Sequence, residues 1–360
     1  MGTFLAYVIS PLLVATLYNL ITKKHVNENN QTKKTFLIYC GIIIFLMIGL
    51  RHYSVGSVDG SRYYDNWLYM SKVPFNRLGK ELNAMNLEKG YLICVWLLSH
   101  IFPNAQFLFL ISGLFFAISI CRFIYKNSED VILSIMIFNC LGLFIFLVQG
   151  LRQGIAICIC LYALEFCKKR KLIPFLLMVI LAMTFHASAL VFIIVYPIYS
   201  FQLNPKGIII FTIFAIIGLL GLPYLFEIIN YFIEDDYTII GALDDGSGTI
   251  TIFIYLAILI FALLFKKKDT KLKNLYALFV YSTTVGILSF LMRNYVSTIA
   301  ERIAQYFAFG TIALVPATIK NLKDEKERKI MSVLVTILFL VLAIHKATYS
   351  PIIPYRFFWE

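Results

Sequence analysis

From Thr3 to His345 the chain returns again and again to largely uncharged apolar runs of about 15 to 20 residues, separated by short polar or basic stretches. A backbone inside hydrocarbon must satisfy its own N–H and C=O groups, so runs of this kind fold as helices. Helices are expected near 4–21, 36–50, 105–125, 131–148, 152–167, 172–185, 187–201, 207–226, 250–265, 274–292, 303–319 and 329–346. The fold class is therefore an all-α polytopic membrane protein with about twelve transmembrane helices.

No soluble domain of ordinary size fits between these runs, so 1–360 reads as a single integral membrane domain. The content of 60% hydrophobic and 14% charged residues agrees, being far more apolar than a soluble chain of 360 residues needs. The first run lacks a basic leader and a small-residue cleavage site, and it reads as a retained helix. Seven cysteines lie in or beside apolar runs without a CxxC pair, which implies small core residues in place of a disulfide framework or metal site.

The net charge of +12 is carried in blocks between runs: Lys23 to Lys34, Lys168 to Lys171, Lys266 to Lys273 and Lys320 to Lys329. By the positive-inside rule these blocks are cytoplasmic, so the charge serves orientation; no nucleic acid is expected as partner, and membrane lipids are. The apolar stretch from Tyr91 to Phe102 is too short to cross and ends at Pro103. Counting it as a span would also break the parity between basic blocks, so it reads as a short re-entrant or interfacial helix. Both termini then lie outside, with the loops 51–104, 149–153, 227–249, 293–302 and 347–360.

Loop 227–249 is acidic, carrying Glu227, Glu234, Asp235, Asp236, Asp244 and Asp245. It reads as a solvated loop, because the spaced DxDxDG pattern of a calcium site is missing. The chain also lacks G-x-x-x-x-G-K-[ST], HExxH and G-x-S-x-G, the usual signatures of ATP-driven transport and of zinc or serine hydrolysis.

The remaining polar chemistry collects on the outer face. Arg152 and Gln153 open one helix there, and a guanidinium offers bidentate hydrogen bonds to phosphate, or else snorkels to lipid phosphate. His186, with Ser188 beside it, links two spans; it either contacts a phosphate or sugar hydroxyl or is a hydrogen-bonded structural histidine. Arg51, Asp59, Tyr63, Tyr64, Trp67 and Tyr69 fill the first outer loop, a mixture suited to stacking on sugar rings and equally to an interfacial aromatic belt. Glu88 precedes the short apolar stretch as base or as N-terminal carboxylate, and Arg302 follows Glu301, which neutralises it or leaves it for a ligand. Tyr306 lies one turn beyond Arg302.

Four pieces in order, Arg51 with Val55-Gly56…Asp59…Tyr63, Glu88-Lys89-Gly90-Tyr91, Arg152-Gln153-Gly154-Ile155-Ala156 and His186-Ala187-Ser188-Ala189, carry a resemblance. Over residues 50 to 190 the chain resembles the EpsG family of exopolysaccharide and capsule biosynthesis proteins, similar in role to Wzy-type polymerases. The family pattern commonly reads Val-Gly-Thr-Asp, whereas Val55-Gly56-Ser57-Val58-Asp59 holds an extra residue before the carboxylate.

This resemblance implies a GT-C-like polymerase or ligase membrane fold in a bacterial inner (plasma) membrane. It implies a membrane glycosyltransferase that joins undecaprenyl-pyrophosphate-linked oligosaccharide repeat units on the outer leaflet, in exopolysaccharide, capsule or O-antigen biosynthesis. Asp59 or Glu88 is the expected base with His186 as positioning group, and Arg51, Tyr63, Tyr91, Arg152, Gln153, Ser188 and Arg302 are the expected substrate contacts. No cofactor is expected, and a chain-length regulator and a flippase of the same pathway are candidate partners. Three other readings stand beside it: a lipid-linked glycan ligase, which shares the chemistry; a flippase or exporter of the repeat unit, which should line a deep cavity with cations; and a membrane acyltransferase modifying the polymer, which needs an essential histidine on or connected to the inner side.

Overall fold

The computed structural model describes residues 1–56, 58–232, 247–266, 273–291, 302–348, 350 and 352–360. Among them the chain is helical, with no strand and one isolated bridge between Arg51 and Phe357. The helices are α1 (Gly2–Thr22), α2 (Asn30–Gly49), α3 (Val58–Met70), α4 (Phe75–Ala84), α5 (Lys89–Ile101), α6 (Gln106–Asn127), α7 (Val131–Cys140), α8 (Leu143–Gln149), α9 (Leu151–Lys168) and α10 (Leu172–Met183). A 3-10 turn over Ala187–Ile194 leads into α11 (Val195–Ile198), α12 (Pro205–Phe232), α13 (Ser247–Leu264), α14 (Lys273–Leu291), α15 (Arg302–Lys320) and α16 (Glu325–Thr348). Five of these, α1, α2, α6, α15 and α16, are long and apolar enough to cross a bilayer, or six if the bent pair α7 and α8 is one span. The all-α membrane class is as the sequence implies; the structure supports this smaller number of full-length spans beside several shorter apolar helices.

Small residues let the central helices touch backbone to backbone, the packing that membranes favour where hydrocarbon gives no hydrophobic drive. A Cβ on Gly113 of α6 would stand 3.0 Å from the Gly49 nitrogen of α2, and one on Gly41 would stand 3.2 Å from Cys121 Sγ. These pairs run in opposite order, so α2 and α6 are antiparallel. Gly154 likewise brings α9 onto Phe116 of α6. Side chains then lock the ends: Asp130 caps α7, accepting from the Ile132 and Leu133 N–H groups, while Asn27 donates to Asp130 at 2.7 Å.

Lys33, Lys168 and Lys320 lie at one end of this bundle and the candidate residues at the other. At one end Lys168 donates to Asn127 at 2.6 Å and to Glu165 at 2.8 Å, and Lys126 reaches Glu165 at 3.2 Å. At the other end α2 finishes, α6 and α9 start, and α10 turns into the 3-10 segment.

Three sequence expectations change in detail. The helix expected over 131–148 is broken between α7 and α8 with a 53° bend, because Gly142 takes φ 91° and Lys346 Nζ donates to the freed Leu141 carbonyl at 2.9 Å. The helix expected over 187–201 is mostly 3-10, where β-branched Val191, Ile193 and Ile194 favour α-helix weakly and Pro197 lacks a donor. Within the expected loop 51–104, residues 58–101 form a cap of α3, α4 and α5. Its core holds Tyr63, Trp67, Met70, Tyr91, Leu92 and Phe109, and Trp67 Nε1 donates to the Phe102 carbonyl at 3.1 Å. Of the acidic loop 227–249, residues 227–232 continue α12, while Glu234, Asp235, Asp236, Asp244 and Asp245 lie outside the described residues.

Candidate functional site

Glu88 stands at the start of α5 but does not cap it. Its carboxylate instead spans two other elements: Oε2 accepts from Arg152 Nη1 on α9, and Oε1 accepts from the Ala187 N–H at 3.3 Å. Both side chains are largely buried, at 12% and 16% exposure, so the pair sits where desolvation is costly and attraction strong. Gly90 makes this reach geometrically open. The Tyr91 N–H donates to the Thr184 carbonyl at 3.2 Å, and a Cβ at Gly90 would come within 2.7 Å of that same oxygen.

Around the pair lie two aromatic rings of the cap. The Arg152 guanidinium is 6.0 Å from the centre of the Tyr91 ring, and Tyr91 meets Tyr63 edge-on at 5.9 Å. Tyr63 also interacts with Arg152. The Tyr91 hydroxyl and Arg152 Nε are buried with no hydrogen-bond partner among the described residues, an uncommon state for such groups.

His186 is buried in the turn between α10 and the 3-10 segment, outside the spans. Ser188 Oγ lies 2.7 Å from His186 Nδ1 and donates to the Tyr306 hydroxyl of α15 at 3.2 Å. Burial, then the charges of Arg152 and Arg302, hold the imidazole well below its ordinary range, so it is neutral at physiological pH. One residue along from Arg152, Gln153 donates to the Arg302 carbonyl at 2.6 Å and ties α9 to α15. Eight expected residues thus meet at one end of the bundle: Tyr63, Glu88, Tyr91, Arg152, Gln153, His186, Ser188 and Arg302. Arg152, paired with Glu88, and Arg302 both bring positive charge near His186.

Arg51 and Asp59 are placed differently. The Arg51 side chain is fully buried over the Phe109 ring, 4.4 Å from its centre, and donates to the Val55 and Val148 carbonyls. It binds the cap to α8; Gly56 at φ 103° gives it room. Asp59 is half-exposed on the first turn of α3, 3.9 Å from Arg62, with no hydrogen bond to Glu88, Arg152 or His186 among the described residues. Trp67 is enclosed in the cap core, whereas Tyr69 is exposed and donates to Glu81 at 2.7 Å.

Three contributors escaped sequence reading. Thr184 and the Ala187 N–H act through backbone, which no residue type announces. The segment 352–360 crosses back to the cap, with the His52 N–H donating to Arg356 O and the Phe358 N–H to Leu50 O, each at 2.9 Å. Tyr306 did carry a signal, its position one turn from Arg302, though its partner Ser188 lies 118 residues away.

No curated protein and no solved structure matched the chain. The family model described as the EpsG family matches residues 34–357, which takes in the cap, the buried ion pair, the histidine turn and most of the terminal segment. With so much of its length matched, this membrane protein belongs to the EpsG family.

Proposed function

We propose that the protein is a polysaccharide polymerase, joining undecaprenyl-pyrophosphate-linked oligosaccharide repeat units at the outer leaflet. The observation that carries this reading is the Arg152–Glu88 pair, set under two buried tyrosines beside His186, with the Tyr91 hydroxyl and Arg152 Nε unpartnered among the described residues. Membership of the EpsG family supplies the exopolysaccharide context.

In the proposed reaction an acceptor sugar hydroxyl attacks the anomeric carbon of the donor chain. The bond from that carbon to the pyrophosphate oxygen breaks, and lipid pyrophosphate leaves with the bonding electrons. Arg152 takes the developing charge, using the fork geometry that suits phosphate oxygens, and Arg302 adds to the same field. As the guanidinium turns to phosphate it releases Glu88 Oε2, which accepts the proton of the attacking hydroxyl. With Ser188 donating to Tyr306, His186 Nδ1–H donates to Ser188 and leaves Nε2 as an acceptor that orients the sugar hydroxyl. Arg51 positions the cap, and Tyr63 and Tyr91 wall the site. A flippase and a chain-length regulator of the same pathway are the candidate partners.

The test is reconstitution of the purified protein with a short lipid-pyrophosphate repeat unit. A ladder of lengthening glycans is expected, unaffected by EDTA. A single transfer to a different acceptor would favour a ligase, and movement of the unchanged lipid between leaflets would favour a flippase.

A further inference from the structure

A groove of about 490 Å³ runs between α2 and α6 on the outside of the bundle, within the size range of small-molecule sites. Its floor is set by Gly41 and Cys121, the small pair that draws the two helices together. Exposed Ile38, Ile42, Leu114 and Ile118 form its walls. From Lys34 to Phe45 it extends about 16 Å, close to the hydrocarbon depth of one leaflet.

The groove is apolar along its length and basic at one mouth, where Lys34, Arg122 and Lys126 gather. Lys126 is matched by Glu165 at 3.2 Å. Lys34 and Arg122 are exposed and pair with no acid among the described residues, while Arg122 is held in place over the Tyr162 ring at 5.0 Å. An acyl-chain-shaped slot ending in two uncompensated cations has the charge pattern of an acidic lipid, chain in the slot and phosphate at the mouth.

We propose that this groove is a binding site for an acidic glycerophospholipid. The mouth lies where α2 begins and α6 ends, at the opposite end of these helices from Glu88 and Arg152. A lipid held here therefore belongs to the other leaflet from the reaction and is not the pyrophosphate-linked substrate in its reacting position. It would brace the α2–α6 contact on which the cap and Arg51 rest.

Native mass spectrometry of the full chain, delipidated in an uncharged detergent, tests this with phosphatidylglycerol and phosphatidylcholine of identical acyl chains. Phosphatidylglycerol should bind more tightly, and the doubly substituted Lys34→Gln/Arg122→Gln protein should hold it roughly 10- to 30-fold more weakly. Ile118→Trp, which fills the slot from an exposed position and leaves both cations in place, should weaken binding as well. Equal retention of the two lipids, unchanged phosphatidylglycerol binding in the double variant, or stronger binding of a polyprenyl pyrophosphate at the same residues would each overturn the assignment.

Discussion

Arg152 and Glu88, 64 positions apart in the sequence, meet as a buried ion pair that joins the start of α9 to the start of α5. Glu88→Gln keeps the shape but leaves a buried guanidinium uncompensated, so it should destabilise the fold by about 3–5 kcal/mol in detergent unfolding assays. Arg152→Lys keeps the charge and loses the fork. It should preserve most of the stability yet lower polymer formation by about 100-fold or more, read from the glycan ladder.

His186 gives the site a pH dependence of definite sign. Its folded-state affinity for a proton lies well below the ordinary value of 6.5, so below that pH the unfolded chain binds a proton that the folded chain refuses. Stability should therefore be flat above about pH 7 and fall as the pH drops through 6 towards 5. Comparing wild type with His186→Gln over this window checks it, since the variant should lose part of the slope.

Gly90 is required by contact, not by helix propensity. Gly90→Ala would press its methyl onto Thr184 and push α5 off the end of α10, separating Glu88 from the Ala187 N–H. A loss of about 1–3 kcal/mol is expected, with a fall in activity. Gly79→Ala, with nothing within 4 Å of the added carbon, should be neutral or stabilising by about 0.5–1 kcal/mol.

Sidedness can be read in whole cells. A cysteine replacing Ala187 should react with a membrane-impermeant thiol reagent, and one replacing Lys169 should react only after the membrane is opened. The reverse pattern would place the Arg152 site on the cytoplasmic face and remove the outer-leaflet reaction.

Much of this was legible because apolar periodicity and charge blocks are local. Helices α1, α2, α6, α15 and α16 follow from runs that hydrocarbon permits only as helix, and the four motif pieces all lie within residues 34–357, which the family model matches. Less visible were the bend at Gly142, where a lysine from α16 takes the Leu141 carbonyl, and the helical cap built from residues 58–101. Both depend on partners far along the chain.

The sequence by itself determined a helical membrane protein whose basic blocks and polar clusters alternate from end to end, since each span's solvent is dictated by its own residues. Only the tertiary structure decided what the polar residues do. Arg51 and Arg152 look equivalent in sequence, yet one is spent on backbone carbonyls under Phe109 and the other faces a carboxylate beside His186. That difference arises because a buried guanidinium takes its role from whichever acceptors long-range packing brings to it.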